Sequence, residues 1–258
     1  MGRCTRYICG IICRAAHILS RGESDEDRTD CRRAEEVPAD TISPERVLDM
    51  PILRAEIPEP WRPRRLRRAA RALRKQGVKR VLVPAGFAQW DTLESAGLGP
   101  VETGEFCRAM APAVALAALT GAHIRPEGAT VVLRGERVTR AMRMSALKLC
   151  PEVKNLLIAA PVGGAGLQAE LRREYGVPAL EDAPGRAPDL AIHFAPSAGG
   201  GARIVDLSGN SPRMDHFSFA LREQTLPEDC EGLPLLAALW ETGRLDPAEI
   251  TVFTDFHS

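Results

Sequence analysis

Two short stretches carry residue types suited to holding an anion. Gly164-Ala165-Gly166-Leu167-Gln168-Ala169 reads G-x-G-x-x-A between an expected strand and an expected helix. In that setting glycines let backbone N–H groups and a helix N-terminus approach a phosphate without side-chain obstruction. The turn is extended by Pro161, Val162 and Gly163, and the acids Glu181 and Asp182 arrive sooner than the spacing of about 20 residues usual for a ribose-binding carboxylate. Glycines at these positions equally serve a loop that needs positive φ. The second stretch, Arg134 to Arg140, places Arg137 and Arg140 around Thr139, a hydroxyl cap at an expected helix start. Such a set can hold a phosphate or carboxylate, although an ordinary N-cap with solvated arginines uses the same residues. If the preceding strands are neighbours, Arg137, Thr139, Arg140, Gly163, Gly164 and Gly166 share one opening, and they form the candidate ligand site.

Other constellations are weaker. Cys4, Cys9, Cys13 and His17 follow a spacing that matches neither zinc pairs nor iron–sulfur patterns, so no metal site is assigned. Asp206, Asn210, Asp215 and His216 could form an acid–base group, but turn chemistry accounts for Asp206, Ser208, Gly209 and Asn210. Cys107 and Cys150 fall on apolar helical patterns and read as core, whereas Cys230 falls in a polar stretch with no histidine near it in sequence. No nucleophile-elbow signature is present, no cofactor is specified, and no residue set requires an enzyme.

The helix expected over 62–75 carries Arg62, Arg64, Arg65, Arg67, Arg68, Arg71, Arg74 and Lys75. It supplies the alternative function: a noncatalytic module that docks on a protein or nucleic acid through this basic surface. The chain as a whole has 34 basic and 34 acidic residues, so no global field draws it to polyanions. With no interleaved aromatic platform on this helix, that balance weighs against nucleic acid without excluding it. Arginine greatly outnumbers lysine throughout, which reduces what any one arginine cluster signifies.

The elements that must position these residues alternate. From Met50 the pattern runs strand (Pro51–Ile57), helix (the face Leu66, Ala69, Ala70, Leu73, stopped by Gly77), strand (Val78–Val83), short helix (Phe87–Ala96) and longer helix (Thr103–Thr120). Strands at Thr130–Leu133, Val153–Ala159, Val177–Leu180, Leu190–Phe194 and Arg203–Leu207 follow, with helices at Thr139–Leu149 and Ala165–Tyr175. A Gly-rich turn at Gly199–Gly201 separates the last two strands, and the tail adds Phe217–Leu221, a helix Leu233–Thr242 and Ile250–Phe253. This predicts an α/β, Rossmann-like fold with a mostly parallel sheet and helices on both faces. Residues 51–122 and 128–207 could be two halves of one sheet.

Residues 1–49 read as a largely disordered N-terminal extension, with one short helix over Tyr7–Leu19 and few large apolar residues from 20 to 49. The globular α/β domain is then 50–258, with possible halves 50–127 and 128–258, and Met50 is a conceivable natural start. Hydrophobic residues at 45% suffice for a core without disulfides or metals. Seven cysteines without a regular framework, the lack of a signal-peptide pattern and the interruption of the longest apolar stretch by Pro112 predict a soluble, cytoplasmic protein off the membrane. A small anionic or nucleotide-type ligand is the preferred reading; substrate and oligomeric state are not specified.

Overall fold

The computed structural model describes residues 9–14, 41–57, 60–176, 187–196, 203–222, 224–227 and 229–254. The chain divides into two compact units. One comprises Met1–Val101 and Pro227–Arg244, the other Glu102–Leu226 and Leu245–Ser258. The boundary falls at 101/102 rather than between the expected halves at 127/128, and the tail contributes to both units.

The first unit is built on strands β1 (Cys9–Arg14), β2 (Thr41–Val47), β3 (Met50–Ile57), β4 (Arg80–Leu82) and β5 (Gly99–Pro100), with helices α1 (Pro63–Lys75) and α2 (Trp90–Glu94). Their order is β2-β3-β1-β4-β5; β2 runs antiparallel to β3 and the remaining pairs are parallel. Cys9–Arg14 is therefore a central strand rather than part of a helix over 7–19, and Thr41–Val47 is an edge strand rather than loose extension. Pro44 is tolerated in β2 because an edge strand has one side free of ladder bonds. The β2–β3 hairpin turns on Leu48 (φ 46°) and Asp49 (φ 64°), the left-handed pair that a two-residue hairpin loop of primed type requires.

Helix α1 forms where the sequence places apolar residues on one stripe. Leu66, Ala69, Ala70 and Leu73 are fully buried, and each leucine contributes about 1.5–3 kcal/mol by leaving water. Pro63 stands in the first turn, where a missing N–H costs nothing. The stripe joins Leu53, Ala55, Ile57, Val81, Val83, Leu93 and Leu98 in one core.

The second unit holds helices α3 (Gly104–Ala109), α4 (Ala111–Gly121), α5 (Arg140–Leu149) and α6 (Gly164–Tyr175), and strands β6 (Thr130–Arg134), β7 (Asn155–Ala159), β8 (Leu190–His193), β9 (Ile204–Asp206) and β10 (Phe217–Leu221). Helix α7 (Gly232–Glu241) returns to the first unit, and β11 (Ile250–Thr254) pairs antiparallel with β10 in the second. The helix expected over 103–120 is broken at Met110. Pro112, lacking an N–H and crowding the carbonyl four residues back, forces the chain to restart as a second helix. Strands β6 to β9 make a four-stranded, wholly parallel sheet in the order β7-β6-β8-β9. The chain is thus mixed α/β, and the strands of residues 51–122 and 128–207 lie in separate sheets rather than in two halves of one. The parallel strands of each sheet, counted along the chain, run 2-1-3-4 in both units.

Cys107, Cys150 and Cys230 are buried thiols, so Cys230 does not sit in an open polar loop. Burial holds the Cys107 thiol up at about 11, against a weaker opposing hydrogen bond with Thr103. It is thus protonated and unreactive at neutral pH. Among the described residues no helix is long and apolar enough to cross a membrane. The strand expected over Val177–Leu180 and the turn at Gly199–Gly201 lie outside the described residues.

Candidate functional site

Parallel pairing of β6 and β7, joined through the crossover helix α5, delivers the ends of both strands to the same edge of the second sheet, and with them both candidate loops. The loops touch. Arg137 and Val162 form a parallel bridge, with the Val138 N–H donating to the Val162 carbonyl (2.9 Å) and the Val162 N–H to the Glu136 carbonyl (3.4 Å). Gly163 caps α6 at φ 87°, and a Cβ there would press on the Val138 side chain at 3.4 Å. The space directly between the loops is therefore closed by backbone pairing, and the Gly163 conformation is required by the turn itself.

The remaining predicted residues have distinct settings. Thr139 caps α5 by accepting the Met142 N–H at 3.2 Å. Gly164 is buried in ordinary contact with Ala160 and Ile158, whereas a Cβ on exposed Gly166 would meet nothing within 4 Å. Arg137 and Arg140 are exposed at the same edge and have no ion pair with a described residue. Arg143, by contrast, is bound to Glu170 across α5 and α6, which lowers the glutamate's pKa chiefly through that hydrogen bond.

The register reveals a further set. Arg134 pairs with His193, and His193 with Asp206, so the last residues of three adjacent parallel strands stand in one row. Paired residues in parallel strands project to the same face, which the row shares with Val132, Leu157 and Ala191 two residues further in. Arg134 is 7% exposed and His193 4% exposed. The His193 Nε2 is buried with no hydrogen-bond partner among the described residues. At the opposite edge the polar residues are satisfied: Asp189 accepts the Thr130 N–H at 2.8 Å, and Asn155 donates to the Thr130 hydroxyl at 3.0 Å. A buried imidazole nitrogen left without a partner costs free energy, and at this edge of the sheet it stands beside the Arg134 guanidinium.

Burial first, and the Arg134 guanidinium second, depress the His193 pKa below its ordinary 6.5; Asp206 opposes them. The imidazole is therefore neutral at pH 7, with one ring nitrogen able to accept and one to donate. A base protonated less readily when folded than when unfolded contributes stability that is fully present above the unfolded value of 6.5 and is lost as pH falls from there through the lower folded pKa. Urea midpoints should thus drop from pH 7.5 to 5.5, and by less in His193→Gln than in the parent. An equal drop in both would show that this histidine does not titrate with folding.

Asp206, expected in a turn, accepts the Ser208 N–H at 2.9 Å, and it also flanks His193. Asn210 is taken up structurally: its carbonyl accepts the Thr103 and Gly104 N–H groups and its side chain donates to Glu102. Cys9 and Cys13 lie in β1 rather than in the short helix expected over 7–19, and Cys4 and His17 are outside the described residues. Among the described residues no group of three or more His, Cys, Asp or Glu is placed to hold a metal.

No protein-family model matches the chain, and no curated protein sequence does. Among solved structures, L-tryptophan dehydrogenase from Nostoc punctiforme is similar at 16% identity over 55% of this chain and 43% of that one, with a TM-score of 0.29. The chain therefore spans less than half the length of that enzyme.

Proposed function

We propose that the second unit is a Rossmann-like domain that binds a small anionic ligand of nucleotide type at the carboxyl edge of its parallel sheet. The observation that carries this reading is the row Arg134, His193 and Asp206, with the buried His193 Nε2 unsatisfied beside a guanidinium. The 2-1-3-4 strand order supports the location. Connections leave β6 and β8 toward opposite sides, and ligands of open α/β sheets bind at that switch point, outside the carboxyl ends of the strands. Arg137 and Arg140 add exposed cations at the same edge; Thr139, Gly163 and Gly164 shape the starts of α5 and α6, and the open first turn of α6 at Gly166 is the helix start suited to a phosphate. The thiols of Cys107, Cys150 and Cys230 fit a reducing, cytoplasmic setting.

Thermal-shift measurements against nucleotides, inorganic phosphate and small carboxylates test the reading; a stabilising hit should be lost in Arg134→Met. Gly166 separates ligand from turn. Alanine there fills open space in the first turn of α6 and should raise stability by up to about 1 kcal/mol. It should also weaken the hit at least tenfold if a phosphate packs against that turn. A panel without any shift, or a hit indifferent to both substitutions, would overturn the reading.

A further inference from the structure

The first unit carries a second charged feature that the sheet-edge reading leaves unused. On α1, Arg64, Arg67, Arg68, Arg71, Arg74 and Lys75 are all exposed. At 3.6 residues per turn they fall in a sector of about 120°, opposite the buried Leu66, Ala69, Ala70 and Leu73. No acid occurs between Arg62 and Lys75, and no ion pair joins Arg64, Arg67, Arg71, Arg74 or Lys75 to a described acid.

Arg74 donates to the Val78 carbonyl at 3.4 Å, and Arg74 and Lys75 suit the last turn of the helix, but its first half gains nothing from the arrangement. Arg62 offers no side-chain cap, the first turn contains no acid, and Arg64 and Arg65 stand at the positive end of the helix dipole. Pairs three or four residues apart, such as Arg64–Arg68, Arg67–Arg71 and Arg71–Lys75, repel one another along the exposed face. A surface kept at a cost to its own helix is one that a polyanion relieves.

We propose that the exposed face of α1 binds the phosphate backbone of a nucleic acid without reading its sequence. Six cations lie along about 17 Å of helix axis, facing a duplex that carries one charge per about 1.7 Å. Arginine forks match phosphate oxygens in pairs. The large exposed apolar residues among those described are Met144, Val162, Tyr175, Ile204 and Phe253, all outside the first unit. The face therefore lacks the apolar centre of a protein interface and the apolar residues that enter a lipid headgroup layer. Trp61, Phe87 and Trp90 pack on one another and into the core, so base stacking is not part of the proposal.

Fluorescence anisotropy of the full chain with a labelled duplex DNA and a single-stranded RNA of equal length tests it, with poly-glutamate and phosphatidylserine vesicles as competing classes. We expect nucleic-acid binding whose log affinity falls against log salt with a slope of about −3 to −5 on the duplex. Arg64→Gln/Arg67→Gln/Arg71→Gln should weaken it at least tenfold and flatten the slope, while its thermal midpoint stays equal to or above the parent's. Arg172→Gln/Arg173→Gln on α6 should leave binding unchanged. Absence of binding at low salt, unchanged binding by the triple variant, or equal affinity for poly-glutamate or vesicles would overturn the proposal.

Discussion

A chain beginning at Met50 is expected to lose the cooperative unfolding transition of the first unit. Strand β1 lies between β3 and β4 and pairs in parallel with both, Cys9 opposite Ile52 on one side and Arg80 on the other. Its removal leaves no ladder partner between those strands, and the loss of β2 bares the other edge of β3 as well. Rows of unpaired N–H and C=O groups beside Leu53, Ala55 and Ile57 would then be open to water or to another chain, the usual route to aggregation. Calorimetry and far-UV circular dichroism of 50–258 should show the first unit missing or the fragment insoluble. A fragment that unfolds at the parent's midpoint, with the parent's enthalpy, would show that β1 is dispensable.

The second large effect is expected at Gly104. A Cβ built there would lie 2.5 Å from the Gly209 carbonyl oxygen and 3.1 Å from the Asn210 carbonyl carbon, both backbone atoms that cannot swing aside. That loop is gripped from the start of α3. Thr103 and Gly104 donate to the Asn210 carbonyl at 3.0 and 2.7 Å, and Arg108 donates to the Leu207 and Gly209 carbonyls at 2.9 and 2.8 Å. Gly104→Ala must either push the loop away or strain the helix, so we expect a loss of about 3 kcal/mol, read as a lower urea midpoint. Gly166→Ala, with open space around it, should move the midpoint the other way. A Gly104→Ala protein as stable as the parent would mean that the loop yields without cost.

The outline of both units was legible from periodicity and punctuation. Helix α1 follows its apolar stripe, α6 ends where Gly176 adopts φ 67°, and β6, β7, β8 and β9 fall within a residue or two of the expected strands. What escaped was set by partners distant in sequence. The run around Cys9–Arg14 is short and closed by a charge, and only its non-local parallel neighbours make it a strand. Strand β2 contains Pro44, and its turn, Leu48-Asp49, has neither asparagine nor glycine to announce a hairpin. At the sheet edge, Arg137, Thr139, Arg140 and the glycines could be picked out because residue type and helix starts coincide. Arg134, His193 and Asp206 could not be grouped, since register alone brings them together. The usable signal was modest: each is a polar residue closing an otherwise apolar strand.

The imidazole of His193 is the most direct reporter of the proposed anion site. Nitrogen-detected NMR of the histidine rings, with the His193 signals identified by their absence in His193→Gln, should show a neutral ring at pH 7. Titration with the best anion from the thermal-shift panel should move its Nε2 resonance, and Arg134→Met should abolish that movement. A His193 ring whose signals stay fixed at saturating ligand, while resonances elsewhere in the chain shift, would contradict the assignment of the site to the carboxyl edge of the second sheet.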